Sequence, residues 1–268
     1  MSARAALTVD APGRAEVVRE LQERIRGMQR TRLDARTLPT HPALADLLPG
    51  GALAAGASYA VEGSTTLALG LLQGPSAAGS WAAVVGLPDL GVEAAAGLGI
   101  DLDRLALVPR PGQRWLPVVS ALVDVVTVVL VAPPPGARVG EQAAARLAAR
   151  LRQREAALVV LARPGEGRPG EGLHGESRLG EGNPGADRDR AAWPGAQARL
   201  RVTESSWTGI GAGFGHLTAR RATVASEPRD GRPRARRLWL PGPDERIAAL
   251  GPAEVAAAPT AAPAGRSA

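Results

Sequence analysis

The sequence predicts an α/β fold in which a mostly parallel β-sheet is flanked by helices, with an N-terminal helical arm and a small C-terminal β addition. Three observations support this class. Short runs of Val, Leu and Ala alternate with amphipathic stretches between residues 37 and 165, as in successive βαβ units. The runs are apolar at nearly every position, which is typical of parallel strands buried on both faces. After residue 199, apolar and polar residues alternate instead, which indicates antiparallel strands.

Composition limits the chemistry that the chain can perform. The 268 residues suffice for one large domain with appendages, and the absence of Cys excludes disulfides and thiolate metal sites. Only three His residues are present, widely spaced, so no metal site is expected. The start of the chain mixes charged residues with Ala and Pro, and the most apolar window, 115–132, contains Pro117 and Asp124. We therefore expect a cytoplasmic protein without a membrane span.

Residues 1–36 form the predicted N-terminal arm, which carries a net charge of +3. Apolar residues recur at spacings of three and four between charged ones, which predicts an amphipathic helix over residues 15–30. Its apolar stripe contains Val17, Leu21, Ile25 and Met28. This candidate assembly helix packs on its own domain, on a neighbouring protein or on another copy of the chain.

Residues 37–165 form the predicted core. Buried strands are expected at residues 58–61, 80–85, 105–108, 125–132 and 157–162. Helices are expected between them at residues 65–72, 91–98, 113–123 and 139–154. Trp81 and Trp115 each begin an apolar run, so both are expected in the core.

The remaining segments differ in character. Residues 166–198 repeat a Pro-Gly-Glu-Gly theme, and this low complexity predicts a disordered insert. Residues 199–246 carry a net charge of +5 and predict strands at 199–203, 217–225 and 236–240, with a flexible loop at 209–215. Residues 247–268 are rich in Ala and Pro and predict a disordered tail, with mobility expected to begin at Pro241.

A dense group of arginines lies in the late basic segment, with Trp207 and Trp239 nearby. Arginine together with aromatic side chains suits single-stranded nucleic acid through phosphate contacts and base stacking. A surface that binds an acidic protein partner is the alternative. The candidate contact residues are Arg220, Arg221, Arg232, Arg234, Arg236, Arg237 and Trp239.

Residues 58–69 join a strand to a helix through a glycine turn, the place where α/β proteins bind phosphate. Against the motif G-x-x-x-x-G-K-[ST], Gly63 and Thr65 are in place, but Ser64 occupies the lysine position and the first glycine is missing. Gly63, Ser64, Thr65 and Thr66 thus form a degenerate phosphate loop. We expect Ser64 and Thr65 to cap the helix. Weak nucleotide binding through backbone amides is the alternative.

The stretch 59–69 resembles the phosphate loop of the RecA recombinase family, but it lacks the lysine and the first glycine of that loop. Residues 38–56, 98–105 and 146–161 are similar to further RecA segments in the same order, so the resemblance covers about residues 37–165. It places Leu87 where the family has its catalytic Glu, although Asp89 is close, and Val131 and Ala132 where an Asp supports Mg²⁺. A P-loop ATPase needs a cation at the phosphates, a metal-holding Asp and a water-orienting group. We therefore expect neither an enzyme nor a bound cofactor.

Among RecA-like proteins without a working phosphate loop, the chain resembles the ImuA type and its ImuA-prime relatives best. The resemblance implies a non-catalytic accessory protein in SOS-induced DNA repair and mutagenic translesion synthesis, which scaffolds an ImuB-like Y-family protein and a DnaE-type error-prone polymerase. Contact with RecA and single-stranded DNA, self-association and association with the nucleoid on DNA damage are further expectations. The alternatives are a nucleotide-dependent RecA-like recombinase or DNA-binding ATPase, and a SulA-like cell-division inhibitor.

Overall fold

A computed structural model describes residues 36–162, 193–211 and 214–251 of the chain. The strands of this part are β1 Thr37–Leu38, β2 Leu53–Ala54, β3 Ser58–Glu62, β4 Ala82–Val85, β5 Leu105–Val108, β6 Val128–Val131, β7 Ala157–Ala162, β8 Ala198–Gly211, β9 Phe214–Pro228, β10 Arg234–Trp239 and β11 Ala248–Ala249. The helices are α1 Pro42–Ala45, α2 Thr65–Ala77, α3 Val92–Gly97, α4 Trp115–Leu122 and α5 Glu141–Arg154. Short 3₁₀ helices lie at Pro49–Gly51, Leu102–Arg104 and Gly112–Arg114.

Nine of the strands form one sheet in the order β11-β10-β9-β8-β3-β7-β6-β4-β5, while β1 and β2 pair separately. The strands from β3 to β7 are mutually parallel where they pair, and β8 lies parallel to β3 but antiparallel to β9. Strands β9, β10 and β11 continue the sheet in antiparallel pairing. The predicted class, a mostly parallel sheet flanked by helices with a C-terminal β addition, is confirmed.

Two apolar layers cover the sheet. On one face, α2 and the segment that contains Leu44, Leu47 and Leu48 pack on the sheet. On the other face, α4 and α5 pack through Trp115, Val119, Leu147 and Leu151. The first layer also contains Leu200, Val224 and Leu238 from the C-terminal strands. The parallel and the antiparallel strands therefore share one core.

Trp81 is not a core residue, which corrects the sequence prediction. Its side chain is 50% exposed, because β4 begins one residue later at Ala82. Similarly, β6 begins at Val128, and Val125 at the predicted strand start is 74% exposed. Trp115 is buried as predicted, and its ring meets that of Trp193 edge to face with the centroids 6.4 Å apart.

The C-terminal addition is larger than predicted. Strands β8 and β9 have 14 and 15 residues, and they include most of the stretch 209–215 that was predicted to be a loop. Trp193 is buried and β8 begins at Ala198, so the last residues of the predicted disordered insert 166–198 belong to the folded part of the chain. Mobility predicted from Pro241 is also wrong for the first residues, because Ile247 is buried and β11 pairs with β10.

No helix in the described part of the chain is long and apolar enough to cross a membrane.

Candidate functional site

The turn between β3 and α2 contains the degenerate phosphate loop. Strand β3 ends at Glu62, and the backbone N–H of Gly63 donates to the Ala162 carbonyl at the end of the neighbouring strand β7, at 2.9 Å. Gly63 adopts a φ of 66°, a conformation that glycine reaches without strain. The chain therefore leaves the sheet at the carboxyl ends of two adjacent parallel strands, where open α/β sheets bind ligands.

Ser64 acts as the N-cap of α2, as the sequence predicted. Its side chain is buried, and its Oγ accepts a hydrogen bond from the backbone N–H of Leu67 at 3.3 Å. The hydroxyl thus satisfies one of the amide groups that every helix leaves unpaired at its start. The prediction that Thr65 also caps the helix is wrong, because Thr65 is the first residue inside the helix and is exposed. The residue in the lysine position of the motif consequently serves the helix rather than a ligand.

A cavity of about 580 Å³ lies beside this turn. Its walls combine threonine hydroxyls, apolar side chains and three carboxylates, which belong to Asp89, Glu93 and Glu245. Among the described residues that line it, there is no Arg or His. The lining residues are Thr65, Thr66, Leu69, Leu87, Asp89, Leu90, Gly91, Glu93, Ala94, Leu98, Leu217, Thr218, Pro241 and Glu245.

The charge of this cavity opposes phosphate binding. A triphosphate brings several negative charges, and like charges repel, although solvent screens the repulsion at exposed carboxylates such as these. Phosphate sites in ATPases offset this with a lysine and a metal ion. Here the carboxylates of Asp89, Glu93 and Glu245 would add to the repulsion. The cavity therefore fits a neutral or cationic group better than a nucleotide.

The C-terminal loop that closes one side of the cavity is held by the buried side chain of Ile247. Ile247 packs against Gly70 of α2 so closely that a Cβ on this glycine would collide with its Cδ1. Glu245 lies against α3, where a Cβ at Gly97 would come within 2.7 Å of the Glu245 Oε2. The wall built from residues 241–247 is thus part of the fold, although the isolated Ile247 is the one apolar residue in this stretch that could have indicated it.

The two positions that the RecA resemblance singled out lie at the ends of the neighbouring strands β4 and β6, but in the apolar layers on opposite faces of the sheet. Leu87 follows β4 and forms part of the cavity wall, with Asp89 two residues further on. Val131 ends β6 and is fully buried among the apolar side chains that pack under α4 and α5. Both positions are therefore buried, and of the two Leu87 also lines the cavity.

The arginines of the basic segment do not form one surface. Strand register places Arg220, Arg234 and Arg236 on the face of the sheet that carries Ala222 and Val224. On this face, Arg234 Nη1 donates to the carbonyls of Asp46 and Leu48, at 3.1 and 3.0 Å. Arg236 Nε donates to the Asp46 carboxylate at 3.1 Å. These two arginines tie β10 to the segment before β2.

Arg221 and Arg237 point to the opposite face, together with Arg199 and Arg201 of β8. Arg199 and Arg201 are not among the predicted contact residues, although their alternation with the buried Leu200 places them on one side of a strand. Carboxylates oppose both, since Arg199 lies 3.5 Å from Glu62 and Arg201 lies 3.5 Å from Glu227. Two of the four arginines in this opposite-face arginine group therefore have a carboxylate within 3.5 Å. Arg232 lies in the exposed turn between β9 and β10.

Each of the two tryptophans near these arginines makes a cation–π contact with an arginine guanidinium. The Arg221 guanidinium lies 4.9 Å from the Trp239 ring centroid, and Trp239 itself is almost completely buried. The Arg220 guanidinium lies 5.5 Å from the Trp207 ring, and its partial burial lowers the pKa of this arginine. Trp239 is thus not available for stacking on a base, whereas Trp207 is half exposed.

The candidate assembly helix, with Val17, Leu21, Ile25 and Met28, lies outside the described residues. Within the ranges that the structure describes, no group of three or more His, Asp or Glu side chains is arranged to hold a metal ion.

Comparisons with known proteins show similarity over the parallel core. Residues 46–166, less than half of the chain, match the MT3502 N-terminal domain family. The chain is 38% identical over 117 residues to the uncharacterized protein Rv3395c of Mycobacterium tuberculosis (strain ATCC 25618 / H37Rv), a match that covers 43% of this chain and 57% of the relative. Among solved structures, the KaiC-like protein PH0186 from the archaeon Pyrococcus horikoshii OT3 aligns with a TM-score of 0.49 and 13% identity, over 81% of this chain and all of that one.

Proposed function

We propose that this chain is a non-catalytic, RecA-like accessory protein that acts as a protein scaffold. The proposal depends on one observation, the combination of a helix-capping Ser64 with a carboxylate-lined cavity at the turn where a phosphate would bind. Loss of a single preorganised electrostatic group costs a rate factor of roughly 10²–10³. A site that lacks the lysine and adds negative charge is therefore not expected to hydrolyse ATP.

The finer part of the proposal concerns the pathway. The ImuA resemblance supports a role in SOS-induced translesion synthesis, with an ImuB-like Y-family protein and a DnaE-type polymerase as partners. A SulA-like division inhibitor, which would bind the tubulin-like division protein, is the alternative from the same resemblance. Both functions act through protein contacts, so the identity of the bound partner separates them.

The basic segment supports a protein contact better than a DNA contact. Its arginines are divided between the two faces of the sheet, and Arg199, Arg201 and Arg236 each have a carboxylate within 3.5 Å. A nucleic-acid site instead needs unopposed cations along one track, and its affinity falls steeply with salt. We expect a fluorescent single-stranded oligonucleotide to bind the unmodified protein and the double variant Arg221→Ala, Arg237→Ala equally weakly at every salt concentration. Loss of tight binding in this variant would assign DNA contact to the opposite-face arginine group.

The deciding experiment is a tagged pull-down from DNA-damaged cells of the native host, analysed by mass spectrometry, beside an ATP-hydrolysis assay of the purified protein. The proposal predicts recovery of a Y-family-like protein and a DnaE-type polymerase, with no hydrolysis. Absence of both polymerases, together with DNA-stimulated ATP turnover that Gly63→Val or Thr65→Val abolishes, would overturn it. Recovery of the division protein alone would favour the SulA-like alternative.

A matched pair of variants tests whether the candidate assembly helix holds the partners. Leu21→Asp with Ile25→Asp places charge on the predicted apolar stripe, and we expect it to reduce partner recovery severely. Arg26→Ala with Arg30→Ala changes the net charge by the same amount on the side opposite the stripe and is expected to leave recovery unchanged. Equal recovery with both double variants would remove the helix from the proposal.

A further inference from the structure

Strand β8 has a free edge beyond its junction with the parallel sheet. It pairs with β3 only from Ala198 to Arg201, where β3 ends at Glu62. From there to Gly211, its pairing with β9 continues on one side. On the other side, no strand of the described ranges pairs with it, and residues 203–209 are all exposed. A row of backbone N–H and C=O groups is thus presented for a further strand.

Irregularities define which part of this edge is regular. Register shifts lie between Val202 and Glu204 and between Thr208 and Ile210. Between them, residues 204–208 form an uninterrupted five-residue stretch that reads Glu-Ser-Ser-Trp-Thr. We call it the β8 edge segment. Bulges commonly terminate strand pairing, so an added strand would pair with this segment and stop at its ends.

The β8 edge segment lacks the side chains that usually prevent strands from adding to an edge. Charged side chains on edge strands, and proline, discourage such pairing. Strand β10, near the far end of the same sheet, carries Arg234, Arg236 and Arg237. The β8 edge segment has no proline and one charge, Glu204, while Trp207 and Thr208 favour extended backbone.

We propose that two copies of this chain pair through their β8 edge segments, antiparallel about a two-fold axis at Ser206. This inference is independent of the proposed function. Antiparallel pairing about a perpendicular axis keeps each face of the sheet continuous, so residues of the same face meet. Ser206 then lies opposite its own copy, Ser205 opposite Trp207, and Glu204 opposite Thr208.

This register suits the side chains on both faces. The small Ser205 faces the large Trp207, and Glu204 meets a neutral threonine rather than another carboxylate. A register shifted by one residue would place side chains on the wrong face, and one shifted by two would bring an irregular position into the pairing. The arrangement centred on Ser206 is therefore the one that uses the whole β8 edge segment.

Cysteine cross-linking tests the register directly, because the chain has no cysteine of its own. Residues directly opposite in an antiparallel pair have Cα atoms about 4.5–5.5 Å apart, within the range that a disulfide spans. We expect Ser206→Cys to form a covalent dimer under mild oxidation. Ser205→Cys is the matched control, since its copies would lie about 7–8 Å apart on the diagonal and cross-link poorly. Ala145→Cys, on the exposed side of α5, measures random collision.

A charge test gives a readout that does not depend on oxidation. Ser206→Lys and Ser206→Glu each place like charges opposite each other at the two-fold axis, so each variant alone is expected to sediment as a monomer. An equimolar mixture is expected to restore the dimer, because opposite charges then meet. Three results would each overturn the proposal. The unmodified protein could sediment as a monomer at every concentration tested, the Ser206→Cys and Ala145→Cys variants could cross-link equally, or the mixture of charge variants could fail to form a dimer.

Discussion

Helix α2 contains two glycines, Gly70 and Gly74, that face close neighbours one turn apart. An added Cβ at Gly74 would collide with the backbone carbonyl of Pro39 and lie 2.8 Å from the Cα of Thr40. Both contacts are main-chain atoms, which cannot rotate away as the end of a side chain can. The substitution Gly74→Ala therefore sets helix propensity against packing.

The two effects can be compared. Replacing glycine by alanine inside a helix normally stabilises it by about 1 kcal/mol. Forcing an additional methyl group into a packed site costs roughly 1–3 kcal/mol. Because the obstacle at Gly74 is backbone, we expect the upper part of that range and a net loss of about 1–2 kcal/mol in unfolding free energy. For a domain of this size, each kcal/mol lowers Tm by about 2–4 °C.

Urea unfolding followed by circular dichroism measures this difference, and Gly97→Ala is the matched control. Gly97 is also helical, but its neighbour is the end of the exposed Glu245 side chain, which can turn away. We expect the control to stay within about 0.5 kcal/mol of the unmodified protein or to exceed it. A Gly74→Ala variant as stable as the control would refute the packing argument.

Three further predictions concern single side chains. Tyr59 is the only tyrosine, and burial raises its pKa to about 12 although the Ala54 N–H donates to its oxygen. We expect absorbance titration of the folded protein to show no phenolate until well above the midpoint seen in urea, and the unfolding free energy to fall as pH rises through the folded pKa. A native midpoint near 10 would contradict this. Ser64→Ala is expected to cost about 1 kcal/mol of unfolding free energy through the lost cap, with Ser64→Thr as the conservative control, and an unchanged stability would remove the cap assignment. The hydrogen bond from Arg150, assisted by Arg154, lowers the pKa of Asp124. The difference in unfolding free energy between the unmodified protein and Asp124→Asn is therefore expected to shrink as pH falls through the lowered pKa. A difference that does not depend on pH would refute the ion pair.

The apolar runs of the sequence explain which strands were predicted accurately. Strands β5 and β7 have the predicted bounds because each coincides with an apolar run, although β7 is buried and β5, at the edge of the sheet, is partly exposed. The outer half of the β8–β9 hairpin was missed because residues 203–209 are exposed on both faces, so no alternation marks them. Trp81 was misplaced because an apolar residue directly before a strand has the same pattern as one inside it.

The candidate site was predictable where a local rule applied. The cap by Ser64 follows from a hydroxyl residue before a helical stretch, and the structure confirms it. The cavity was not predictable, since Asp89, Glu93, Thr218 and Glu245 come from distant segments that only the tertiary fold brings together. The division of the arginines between two faces likewise depends on strand register, which a list of charges does not contain.

Strand β8 also determines how far the chain can be truncated without loss of the fold. The predicted core ends at residue 165, and the similarity to the MT3502 N-terminal domain ends at residue 166. Yet β8 supplies the neighbour of β3, and Leu200, Val224 and Leu238 complete the layer beneath α2. In a fragment that stops at residue 166, the central strand β3 would become an exposed apolar edge strand. The smallest unit expected to fold alone therefore runs through the β addition to residue 251, although sequence similarity divides the chain much earlier.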